Sequence, residues 1–344
     1  MEKNWQKNWV VIEVAHQKYV IIKQKPYNLE WHYHRFKITP EEEEQYFIAG
    51  QGLKRETSEK NFAVRMHDLQ MVIDNLTIPV DRTVLEYKIR KAAADSGKNI
   101  SDEKVKELLR KKIEELNTHR KTTIMKSSLN SKEKEYLNTV AEEMKKGNPV
   151  LTYLDYSDAV DRLEMLLNKT RAITGVKEVL KVTGSINLKE REKVEEAIKE
   201  GTVVLITSAG TESINLQKSN CMIFYDIPFS VLTFIQAVGR ITRMDSKYSK
   251  QHIHIIEATG TIDSYKRLLI NMNANLIETI FGGIETLPMD MLKIDKGVQG
   301  ILKRKLLWCF DNEKLIEPEE LDTLLIKAME EKRLKEERRR MKYD

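Results

Sequence analysis

The chain lacks what disulfide-built or membrane-spanning proteins need. Its 344 residues include two cysteines, Cys221 and Cys309, too few for a disulfide framework or a cysteine-based zinc site. No apolar run reaches the ~20 residues of a membrane span, and mean hydropathy is −0.49. The opening Met1-Glu2-Lys3-Asn4-Trp5 has no apolar stretch of the kind a secretory signal carries. No glycine- or serine-rich linker divides the chain. Charge of one sign is also scarce: 58 Lys and Arg face 53 Asp and Glu, a net +5 that permits a polyanionic partner without requiring one. The expectation is a soluble, cytoplasmic protein with no membrane partner. At 344 residues it has room for two domains and a sizeable core.

What is present falls into four stretches. Residues 1–60 read as an entry segment: Val10–Val14, Tyr19–Lys23 and Trp31–Ile38 are rich in strand formers. Thr39 can then cap a helix opening Pro40-Glu41-Glu42-Glu43, with proline and acids suited to the first turn. Residues 61–148 are a charged helical insertion. Within it, Val105, Leu108, Leu109, Ile113 and Leu116 make one apolar face, and Asn130 with Glu133 has capping-box spacing.

Residues 149–285 alternate. Val150–Leu154, Val179–Val182, Val203–Ile206, Met222–Tyr225 and Ile253–Glu257 are apolar strands, with helices over Ser157–Asn168, Leu188–Glu200 and Val231–Arg243 between them. Apolar strands separated by amphipathic helices predict an α/β fold with a parallel sheet covered on both faces. Ligands of such sheets bind at the carboxyl ends of the strands, so the chemistry belongs in the loops after residues 154, 182, 206 and 225. Residues 286–344 read as a C-terminal helical brace with a basic tail around Lys335–Arg340.

Two segments carry recognisable chemistry. Thr207-Ser208-Ala209-Gly210-Thr211-Glu212-Ser213-Ile214-Asn215 follows a buried strand, and its small residues let backbone N–H groups approach a phosphate. Gln236-Ala237-Val238-Gly239-Arg240-Ile241-Thr242-Arg243, if helical throughout, puts Gln236, Arg240 and Arg243 on one face. Paired guanidinium groups suit a polyanion because they stay charged and grip phosphate oxygens bidentately.

The order of these segments, from Pro149–Tyr156 through Lys181-Val182-Thr183-Gly184 with Arg191, Ile206–Gln217 and Phe224–Phe229 to Gln236–Arg243, resembles the C-terminal RecA-like lobe of superfamily-two helicases. The Swi/Snf-type DNA translocases are the most similar branch. The resemblance implies a RecA-like lobe in which Arg240 and Arg243 act as arginine fingers on ATP and Gln236 couples the nucleotide site to the lobe. It places Gly210, Glu212, Asn215 and Gly239 at the nucleotide, and Thr183, Gly184, Thr207 and Ser208 on the nucleic-acid backbone. The implied cofactor is ATP with Mg2+. The implied partners are DNA, with RNA not distinguished, and an N-terminal RecA-like lobe.

Two positions depart from the family pattern. Ser213 stands where a second glycine is common, and Met244-Asp245-Ser246 replaces a glycine-glutamine. The sequence also contains no G-x-x-x-x-G-K-[S/T] phosphate loop: Gly97-Lys98-Asn99 and Gly147-Asn148 lack its spacing and hydroxyl, and Asp102-Glu103 begins a helix. The expectation is a lobe that completes an ATP site whose other half lies elsewhere, and that hydrolyses no ATP alone. The alternative is a non-catalytic RecA-like module that binds nucleic acid or protein.

Other groups rank lower. His32/His34 and His252/His254 each put two imidazoles on one strand face, but no third ligand is evident in sequence, so they read as half-exposed strand histidines with no metal. Trp5, Trp9 and Trp31 read as packing residues ahead of base-stacking ones.

Overall fold

The computed structural model describes residues 9–14, 17–22, 28–51, 59–78, 82–96, 100–184, 186–210, 216–242, 246–271, 286–288 and 296–317, with isolated positions between 320 and 334. In chain order the elements are β1 (Trp9–Val14), β2 (Gln17–Ile22), β3 (Asn28–Phe36), α1 (Pro40–Gly50), α2 (Glu59–Ile73), α3 (Arg82–Asp95), α4 (Asp102–Lys126) and α5 (Ser131–Lys145). The alternating part follows: β4 (Val150–Leu154), α6 (Ser157–Lys169), α7 (Arg171–Thr174), β5 (Glu178–Val182), α8 (Leu188–Ala197), β6 (Thr202–Thr207), β7 (Cys221–Phe224), α9 (Val231–Val238), β8 (Lys250–Ala258) and α10 (Ile262–Asn271). A short β9 (Thr286–Pro288) and α11 (Lys296–Asn312) come last.

Six strands form one sheet in the order β3-β8-β7-β4-β6-β5, every neighbouring pair parallel. β1, β2 and β9 form a separate antiparallel sheet. The central strands β4, β6 and β7 are buried at every residue, as a sheet covered on both faces requires. One face packs Leu151, Val204, Ile206, Phe224 and Ile255 against Ile198, Phe234, Ile235 and Val238 from the region of α8 and α9. The other packs Val150, Leu205, Ile223 and Ile256 against Tyr136, Val140, Leu163 and Leu167 of α5 and α6. The α/β class and the RecA-like layering therefore hold.

The entry strand β3 joins the sheet edge beside β8, and Trp31 stacks on Phe234 with ring centroids 6.0 Å apart, as a packing residue should. Trp5 and the side chain of Trp9 lie outside the described residues. The predicted capping box of Asn130 and Glu133 forms at α5, and the predicted cap Thr39 forms one too, with Glu42, at α1. Predicted helix ends fared less well. α8 stops at Ala197 instead of Glu200, because Ile198 turns extended and is buried in the core. α9 stops at Val238, well short of Arg243. There the N–H groups of Arg240 and Ile241 bond three residues back, to Ala237 and Val238, so the chain tightens out of the α-helix.

Candidate nucleic-acid and nucleotide site

The loops after β4, β5 and β6 open into one cleft of about 640 Å³ at the carboxyl edge of the sheet. Thr183, Gly184, Thr207 and Ser208 all line it, so the four residues expected to touch nucleic acid are brought together. Asp155, Ser157, Asp161 and Lys181 share the lining. Lys181 is held by Glu164 at 2.7 Å, and this hydrogen bond raises its pKa, so the ammonium stays charged.

The loop positions have physical causes. Thr207 is the last residue of β6, and Ser208–Gly210 continue as one 3₁₀ turn. Gly210 allows that turn to press against β5: a Cβ there would lie 1.9 Å from the Val182 carbonyl oxygen. Its requirement for glycine thus comes from strand packing. Arg191 ties two cleft loops, donating from Nε to the Ile186 carbonyl at 3.2 Å and from its terminal nitrogen to that of Ala209 at 3.5 Å. The fourth loop, after β7, supports the cleft from beneath. Asp226 is buried and accepts the Asp155 backbone N–H at 2.8 Å.

The second group of site residues lies apart. Gln236, Gly239 and Arg240 come at the end of α9 and do not line the cleft. Gln236 is exposed, while Gly239 and Arg240 are half-buried. Because α9 ends at Val238, Gln236 and Arg240 do not share one continuous helical face; Arg240 leaves on a tightened turn. Arg243, Glu212 and Asn215 lie outside the described residues. No carboxylate belongs to Gln236, Gly239 and Arg240. That donor set suits phosphate oxygens and offers no carboxylate to Mg2+.

Sequence reasoning placed the cleft through its strand ends, but missed a second grouping on the opposite edge. The register pairs His32 with His254 and Cys221 with His252, which puts both histidine pairs on one sheet face with Cys221. The signal was there in the period-two spacing of 30, 32, 34 and of 252, 254, yet strand pairing was needed to join them. Third groups do exist: Glu30 lies with His32 and His252, and Glu143 with Cys221 and His254.

Comparison with known proteins bears on the stretch that contains the cleft. Residues 131–245 match the family described as the helicase conserved C-terminal domain. The Methanocaldococcus jannaschii protein named "Putative ATP-dependent RNA helicase MJ1505" is 30% identical over 145 residues, 38% of this chain and 18% of that protein. An uncharacterised ATP-dependent helicase of Bacillus subtilis is 32% identical over 83 residues, 24% of this chain and 15% of that protein. The chain thus spans less than a fifth of the length of these curated relatives.

Among solved structures, the C-terminal part of the Fun30 ATPase domain is similar at 16% identity and a TM-score of 0.45, over 82% of this chain and 99% of that one. The Sulfolobus solfataricus SWI2/SNF2 ATPase core in complex with dsDNA is similar at 15% identity and a TM-score of 0.47, over 84% and 50%. The match to the helicase conserved C-terminal domain over residues 131–245 thus falls within the all-parallel α/β lobe described above. Among the described residues no helix is long and apolar enough to cross a membrane.

Proposed function

We propose that the chain is the C-terminal motor lobe of an ATP-dependent DNA helicase or translocase. The observation that carries the reading is the cleft, which gathers Thr183, Gly184, Thr207 and Ser208 inside the stretch that matches the helicase domain. Hydroxyls and backbone amides there grip the phosphate backbone, and such contacts hold a strand without reading its sequence. Gln236, Gly239 and Arg240, together with Gly210, Glu212, Asn215 and Arg243, are proposed to complete an ATP site. Its phosphate loop and magnesium ligands belong to an N-terminal RecA-like lobe, in the same longer protein or on another chain. ATP hydrolysis supplies the energy for translocation. Arg240 and Arg243 neutralise charge as it develops on the γ-phosphate. The divisions after residues 60, 148 and 285 belong to the same proposal, with the family match beginning earlier than the third stretch, at 131.

The test uses the two-lobe enzyme. Arg240→Ala should lower nucleic-acid-stimulated ATPase by ~10³- to 10⁵-fold, the range for loss of an arginine finger. Duplex DNA, single-stranded DNA and RNA should each be titrated over a range of salt, because neutralising phosphates makes binding fall as salt rises. Undiminished ATPase in Arg240→Ala, with nucleic acid still bound, leaves the non-catalytic module as the better account.

A further inference from the structure

The sheet face under α5 holds a set of donors that the motor reading does not use. β3 contributes His32 and His34, β8 contributes His252 and His254, and β7 contributes Cys221, all on one face by register. Above them α5 presents Glu135, Thr139 and Glu143, spaced i, i+4 and i+8 and therefore on one helix face. Glu143, Cys221 and His254 are all buried, and one ligand atom from each lies within 4.8 Å of the others.

The hydrogen bonds around His254 admit an order that leaves one nitrogen over. Glu135 Oε1 lies 3.3 Å from His34 Nδ1; with the imidazole neutral and donating to that oxygen, His34 carries its proton on Nδ1. His34 Nε2 is then the acceptor for Nδ1–H of His254 at 2.8 Å. This order leaves His254 Nε2 with a lone pair. That atom is buried without a hydrogen-bond partner and faces Glu143 Oε1 at 3.4 Å. Two acceptors opposed in a dry interior repel, and a cation between them removes the conflict.

We propose that Glu143, Cys221 and His254 bind a divalent transition cation of the zinc class, with His254 Nε2, the Cys221 sulfur and the Glu143 carboxylate as ligands. The donor set is imidazole, thiolate and carboxylate, all of which zinc accepts, and three protein ligands leave a fourth tetrahedral position for water. Binding converts the Cys221 thiol to a metal-bound thiolate and releases its proton to solvent. The Glu135–His34–His254 chain is the support that orients a ligating imidazole through its other nitrogen. Lys146 and Asn148 hold the Glu143 oxygens at 2.6 and 2.7 Å; Lys146 opposes a cation electrostatically and steadies the carboxylate. An entry route runs through partly exposed His252 and His32, whose rings stack at 5.5 Å, and then to His254 at 4.5 Å. A bare proton on His254 would answer the same conflict, and the Cys221 thiol already hydrogen-bonds Glu143; the metal differs in converting that thiol to a thiolate.

The experiment strips the full chain with a chelator, adds Co2+ or Zn2+ alone and removes the excess. One equivalent per chain is expected, with thiolate-to-cobalt charge-transfer absorption that disappears in Cys221→Ser and His254→Gln and persists in Cys309→Ser. His34→Ala should weaken binding by about 10- to 100-fold, as loss of an orienting partner does. Substoichiometric metal in the wild-type chain, or absorption that survives Cys221→Ser, overturns the site in favour of a proton. Should Cys221→Ser not fold, X-ray absorption on the zinc-loaded wild-type chain decides. A single sulfur scatterer supports the site, and none overturns it. Neither readout depends on ATPase or nucleic-acid binding.

Discussion

Lys132 Nζ lies 2.7 Å from Asp74 Oδ1, and both side chains are fully buried. The same ammonium reaches Asp263 at 3.2 Å and Asp226 at 3.4 Å, while Gln70 Nε2 donates to all three carboxylates. Two neutralising or donating groups thus knit α2 and α5 to the end of β7 and the first turn of α10. Removing Lys132 strands the carboxylates in the interior, which typically costs about 3–5 kcal/mol for a broken buried pair. Lys132→Met should therefore lower the urea midpoint by that amount of stability. A loss below about 1 kcal/mol, the worth of an exposed pair, would show that the cluster is not desolvated in solution.

The cluster also sets a pH dependence. Burial, and then the adjacent Asp226 charge, hold Asp74 well above its ordinary 3.8. A carboxyl whose folded pKa is raised stabilises the fold fully below the unfolded value, and that contribution is lost as pH rises through the folded value. Asp74→Asn stays neutral and keeps an oxygen for Lys132 and Gln70. Its stability relative to wild type should improve steadily from about pH 4 upward, measured by denaturant melts at a series of pH values. A constant difference across that range contradicts a raised Asp74.

The sheet was legible because its central strands β4, β6 and β7 are largely apolar runs of four to six residues with helical periodicity between strands, as in Val203–Ile206 beside Leu188–Ala197. Caps were legible too, since Thr39/Glu42 and Asn130/Glu133 act within four residues. Helix ends depended on distant packing. Ile198 leaves α8 to fill the core, and α9 tightens after Val238, so the helix inferred from spacing does not reach Arg240. The cleft could be placed from strand ends alone, whereas His32 and His254 are 222 residues apart and meet only through strand register. Likewise Gly210 reads in sequence as a phosphate-loop glycine, while the Val182 carbonyl beside it gives the packing reason.

Arg162 offers a test of geometry over charge. Its guanidinium donates to Glu133 Oε1 at 2.7 Å and Oε2 at 3.0 Å, and to the carbonyls of Ile124, Ser127 and Ser128 at 2.8, 3.1 and 3.2 Å. It therefore clasps the end of α4 and the start of α5 to α6. Lysine keeps the charge but concentrates its donors at one point, and cannot span that fork. Hydrogen bonds to charged groups contribute about 1.5–3 kcal/mol each. Arg162→Lys should lose at least that much in calorimetric or urea unfolding, and should recover little of the loss seen in Arg162→Met.

Gly184, which lines the cleft, and Gly210, which follows the cleft residue Ala209 in sequence, should respond differently to alanine. At Gly210 the added Cβ meets backbone, the Val182 carbonyl oxygen at 1.9 Å, and neither β5 nor the 208–210 turn can yield without moving the other. At Gly184 the nearest atom is the Ala209 Cβ at 3.1 Å, which a shift of a few tenths of an ångström relieves. Forcing atoms into packed sites costs about 1–3 kcal/mol. Gly210→Ala should fall in or above that range and displace Thr207 and Ser208, so nucleic-acid affinity should drop along with stability. Gly184→Ala should keep near-wild-type stability. Melts of both variants with parallel binding titrations check the pair. Equal stability in the two would mean that the turn does not press on β5.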